Sequence, residues 1–65
     1  MKILLSEIMY KKNLTIRQVS VLTSLPRSTI SDILSGRTIP RMDTMEQLAA
    51  GLKVHITDLF ESPYK

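Results

Sequence analysis

At 65 residues, 43% hydrophobic and carrying a formal charge of +3, the chain is sized for one domain around a small core. It has no cysteine and one histidine, His55, which excludes a disulfide framework, a thiolate zinc site and a histidine-only metal site, so no metal or cofactor is expected. The apolar start, Ile3 to Leu5, is too short for a signal-peptide core or for the roughly 20 residues of a membrane span, so an intracellular protein is expected.

Prolines at 26, 40 and 63 and glycines at 36 and 51 divide the chain into short pieces, and no strand alternation lasts beyond four residues. The periodicity predicts an all-α fold of five helices. The first covers about residues 2–12, with Leu5, Ile8 and Met9 on one face, Lys11 and Lys12 at its negative end, and Asn13 as its terminus. Thr15-Ile16-Arg17-Gln18 reads as a capping box, with Leu14 and Val19 placed for a hydrophobic staple, and opens a second helix over about 16–22. Pro26 pushes Leu25 toward an extended conformation and suits the first position of a third helix, about 26–35, which stops before Gly36. The fourth helix, "MDTMEQLAAGL", repeats apolar residues at Met42, Met45, Leu48, Ala49 and Leu52, with Asp43 and Glu46 in its early turns. "HITDLFES" supplies one or two turns of a fifth around Ile56, Leu59 and Phe60. Met9, Met42 and Met45 are expected in the core and His55 at the surface.

Charge is unevenly spread. Residues 11–41 carry six cations against Asp32 alone, a net +5, while residues 42–65 carry two cations against four acids, a net −2. A basic middle of this kind is either the footprint of a polyanion partner or an ordinary solvated surface.

The third helix separates the two readings. Leu25, Ile30, Ile33 and Leu34 keep helical spacing on one face, while Arg27, Ser28, Ser31, Asp32 and Ser35 fall on the other. Two short helices joined by a four-residue turn, the second with a polar outer face, form a helix-turn-helix pattern. Ser20 supplies the small residue where the third helix crosses the second, and hiding Ile30 and Ile33 leaves the polar side free to enter a DNA major groove.

The chain resembles the Cro/C1-type (lambda-repressor-like, XRE) helix-turn-helix transcriptional regulators through "LLSEIMYKKNLTIRQVS", "RSTISDILSGRTIP" and "LAAGLKVHITDLF". The resemblance covers nearly the whole chain, and Arg27-Ser-Thr-Ile-Ser31 with Gly36 and Pro40 is its most telling stretch. It implies a compact five-helix fold, a cytoplasmic, bacterial or phage-encoded, nucleoid-associated protein, and binding to a two-fold double-stranded DNA operator as a homodimer, in the manner of a repressor. It also places base-edge contacts at Arg27, Ser28 and Asp32, with Pro26 at the helix entrance. Contacts to the DNA backbone fall at Thr15, Ile16, Arg17, Thr29, Ser31, Arg37 and Arg41. Where the family often has glutamine at the first residue of helix two, Ile16 stands without an amide. The turn position often held by glycine is Ser24, where a left-handed conformation is implied. An ion pair that some members bury between helices one and three is replaced by Met9 and Leu34.

Each reader has a plainer role beside it. Arg27 either forks onto guanine O6 and N7 or meets a phosphate. Asp32 either accepts from a cytosine amino group or orients Arg27, Ser28 or Arg17. Ser28 and Ser31 serve a base edge, a phosphate or only the helix surface. Arg37 and Arg41 grip the backbone and carry no sequence information.

No spacing sets a nucleophile beside a base, so an enzyme is not expected. The competing reading is a protein-interaction module of the same fold, as in antitoxins and phage regulators that grasp a regulatory protein partner. With nothing following the fifth helix, a dimer is expected to use the domain's own surface at Val54, Ile56, Phe60 and Tyr64.

Overall fold

The structure is a computed structural model and describes residues 1–65. Four α-helices, α1 (Leu5–Lys12), α2 (Ile16–Thr23), α3 (Arg27–Leu34) and α4 (Met42–Leu52), are followed by a single 3-10 turn at Ile56–Leu59. The expected fifth helix is that one turn. It is closed by the Asp58 carboxylate, which accepts the His55 N–H at 3.0 Å, and it ends where Phe60 becomes extended.

The first helix is shorter than its periodicity suggests. Lys2–Ile3 forms a strand, β1, which pairs antiparallel with β2 (Phe60–Glu61) in the register Lys2 to Glu61 and Ile3 to Phe60. Leu4 N–H then donates to Leu59 O at 2.8 Å, so the two ends of the chain are stitched together before α1 begins. Beside this ribbon the Ser6 hydroxyl donates to Glu7 and, with help from Lys2, holds its carboxyl below the usual range.

Eleven buried apolar residues make one core: Leu5 and Met9 from α1, Val19 from α2, Leu25 from the turn, Ile30 and Ile33 from α3, Met45, Leu48, Ala49 and Leu52 from α4, and Leu59. Leu34 packs against that core half-buried, and with buried Met9 it supplies apolar surface where an ion pair could have stood. Met42 lies outside, 68% exposed. It is the first residue of α4, one turn before the buried stripe of Met45, Leu48, Ala49 and Leu52, so its side chain overhangs the helix end toward water.

Helix ends account for three residues with side chains in left-handed space: Asn13 (φ 58°), Ser24 (φ 63°) and Lys53 (φ 58°). Asn13 and Lys53 end α1 and α4 in the same way. In each case the next N–H reaches back five residues, Leu14 to Met9 O at 2.8 Å and Val54 to Ala49 O at 3.0 Å. Ser24 ends α2 and turns the chain into α3.

Gly51 sets how closely α2 and α4 approach. A Cβ there would lie 2.6 Å from Leu22 O and 2.7 Å from Thr23 Cγ2, so only glycine admits this crossing.

Candidate nucleic-acid interface

The turn between α2 and α3 fixes how α3 is presented, and side chains hold it. Ser20 Oγ donates to Leu25 O at 2.6 Å, and Thr23 Oγ1 donates to Val19 O at 2.7 Å while accepting from Leu25 N–H at 3.3 Å. From α4, Gln47 Nε2 donates to Thr23 O at 2.9 Å. Thr23 is the one buried hydroxyl-bearing residue, and every polar atom buried there is satisfied. Of these residues only Ser20 is marked by the sequence pattern, not Thr23 or Gln47. The available signal for Thr23 was a hydroxyl able to bond the carbonyl four residues back. Gln47 gave none, since its partner lies 24 residues away.

Upstream, the capping box forms as expected: Thr15 Oγ1 accepts from Gln18 N–H at 3.2 Å, and Gln18 Oε1 accepts from Thr15 N–H at 2.8 Å. Thr15 and Arg17 are exposed, whereas Ile16 packs half-buried against the core.

Helix α3 begins after Pro26, which stands just before the first helical residue rather than within the helix, and whose carbonyl accepts from Thr29 and Ile30 N–H. Ile30 is fully buried and Ile33 nearly so, while Arg27, Ser28 and Ser31 are exposed and Thr29 and Asp32 half-buried. The outer face is therefore polar. Its four neighbouring arginines differ in their surroundings: Arg17 and Arg27 have no acidic partner, whereas Arg37 Nη1 lies 3.5 Å from Asp32 Oδ1 and Arg41 Nη2 3.3 Å from Asp43 Oδ2. Asp32 is thus placed on Arg37, not on Arg27, Ser28 or Arg17. Its main-chain carbonyl also accepts from Arg37 N–H at 2.9 Å, Thr38 N–H at 3.3 Å and Ser35 Oγ at 3.2 Å, so the loop after α3 closes on this one residue. Gly36 takes φ 77° within that loop, and Pro40 is buried beneath it.

The residues expected at a dimer surface differ in exposure. Val54, Ile56 and Phe60 are half-buried against the core, and Phe60 is overlaid by Lys65 Nζ at 5.6 Å from its ring centre. Tyr64 is 95% exposed. A second apolar surface went unforeseen: Val21 and Leu22 stand out from α2 beside Leu14, Arg17 and Gln18 and line an open groove. The signal was there in the spacing of 17, 18, 21 and 22, one stripe of α2, with Leu14 just ahead of its cap.

No group of acids and histidines is arranged to hold a metal ion, and no helix is long and apolar enough to cross a membrane. No curated protein and no solved structure gives a significant match to the chain. A helix-turn-helix family model matches residues 5–59, from the start of α1 to the end of the 3-10 turn, and so takes in every element but the terminal strand pair. The chain belongs to the Cro/C1-type helix-turn-helix (XRE) family of DNA-binding regulators.

Proposed function

We propose that this protein is a sequence-specific transcriptional regulator, a repressor, that lays α3 in the major groove of a two-fold operator and binds it as a homodimer. The observation that carries this reading is the division of α3: Ile30 and Ile33 are in the core while Arg27, Ser28 and Ser31 are exposed. Arg27, free of any acid, forks onto guanine, with Ser28 and Asp32 completing the reading edge. Thr15, the main chain at Ile16, Arg17, Thr29, Ser31, Arg37 and Arg41 fix the register on the phosphates. Val54, Ile56, Phe60 and Tyr64 form the contact between copies, and the protein works in the cytoplasm of a bacterium, on chromosomal or phage DNA.

A gel-shift against fragmented genomic DNA at low and moderate salt tests this. A regulator retains a preferred fragment as non-specific binding collapses with added salt. Retention of none would favour the second reading, a module that grips a protein partner, for which exposed Val21 and Leu22 are the supporting observation.

A further inference from the structure

Asp32 is the only acid between residues 8 and 42, and it stands in the last turn of α3, where the negative end of the helix disfavours a carboxylate. Its carboxylate does little for the fold. The loop is closed by the main-chain carbonyl of the same residue, which any side chain would leave in place. The only group the carboxylate meets is the Arg37 guanidinium, at 3.5 Å, with the two side chains 38% and 77% exposed, and a pair so open to water contributes little to stability. Asp43, paired with Arg41, differs in this respect: its other oxygen accepts from Thr44 N–H at 2.8 Å in the first turn of α4. Asp32 therefore serves charge rather than architecture.

We propose that Asp32 is a specificity-determining residue that neutralises Arg37 on DNA of arbitrary sequence, so that one phosphate contact is withheld and non-specific binding stays weak. The inference rests on the DNA-binding reading above. An aspartate 3.5 Å from Arg37 lowers the positive charge this side chain offers a phosphate and competes with it for the same guanidinium. Only where the duplex offers the carboxylate a donor of its own, such as a cytosine amino group, is Arg37 released to the backbone. The withheld contact then becomes part of the difference between a chosen site and all others.

The experiment is a fluorescence anisotropy titration of the native chain, D32N, Asp32→Ser and R37Q on a 20-base-pair duplex of random sequence, between 50 and 200 mM salt, with thermal melting of each variant in parallel. D32N and Asp32→Ser are expected to bind more tightly than the native chain, with the slope of log affinity against log salt steeper by about 0.9, one additional phosphate contact. Their advantage should accordingly shrink about 3.5-fold across that salt range. In the D32N/R37Q double variant, titrated alongside and compared with R37Q alone, the steepening should vanish. An unchanged slope, weaker binding, or the same steepening without Arg37 would overturn the proposal, as would unfolding of D32N below the assay temperature, since the carboxylate would then be structural. Absence of salt-dependent binding by the native chain is a different result: it overturns the DNA-binding reading itself, and this inference with it.

Discussion

Ser24 shows most directly how a single residue bears on the site. It holds φ 63° and ψ 16° at the end of α2, a conformation that costs a residue with a Cβ about 1–2 kcal/mol and glycine almost nothing. Its side chain makes no hydrogen bond in return, while the turn around it is fastened by Ser20 and Thr23. Ser24→Gly is therefore expected to stabilise the protein by about 1 kcal/mol after the added freedom of the unfolded chain is deducted. In a domain of this size that is a rise in melting temperature of roughly 4–8 °C, and a fall would show that the serine side chain is needed after all. Met9 carries the opposite expectation. It is buried beside apolar neighbours with no acid to meet it, so Met9→Arg should cost roughly 3 kcal/mol or more, seen as loss of the cooperative melting transition near room temperature.

Among the elements, those whose cause is local were legible in the sequence. The capping box at Thr15 and Gln18 and the stop at Asn13 depend on residues within one turn of each other, and the structure has both. The buried stripe of α3 followed from its spacing in the same way. The terminal ribbon did not, because Ile3 finds Phe60 across almost the full length of the chain, and a short apolar run such as Ile3-Leu4-Leu5 fits strand or helix equally well by periodicity. Met42 failed for a related reason: periodicity assigns a face, but the first residue of a helix has too little neighbouring structure to cover it. The tie from Gln47 to Thr23, and the reach of Asp32 to Arg37 rather than Arg27, are likewise fixed by how elements cross and where a loop returns, which the spacing of residues along one helix does not contain. The α2–α4 crossing yields its own expectation. Alanine at 51 gains about 1 kcal/mol of helix propensity but drives a methyl group into the main chain at Leu22, at a cost of about 1–3 kcal/mol or more. Gly51→Ala should lower the melting temperature, and because α2 carries the turn that presents α3, it should weaken DNA binding in proportion to any shift of that helix.

At the scale of the whole molecule, the backbone measures 31 × 23 × 21 Å, close to the roughly 34 Å that separates half-sites one turn apart on a duplex. On the proposed homodimer, in which Tyr64, almost wholly exposed, joins the copies, Tyr64→Ser is expected to reduce cooperative binding to a paired site several-fold while leaving affinity for a single half-site unchanged. An equal loss on both would assign Tyr64 to the fold or the DNA instead. Charge sets the helix-turn-helix apart from the rest of the chain, with the net +5 of residues 11–41 spanning α2 and α3 and the net −2 of residues 42–65 belonging to α4 and the chain end.

Base reading by α3 through Arg27 is tested by selection of bound duplexes from a random pool with the native chain and with Arg27→Ala. The native chain is expected to enrich a two-fold consensus containing a guanine in each half, and Arg27→Ala to lose that preference alone, with about 1–3 kcal/mol of discrimination removed. An identical consensus from both proteins, or no consensus from the native chain, would contradict it.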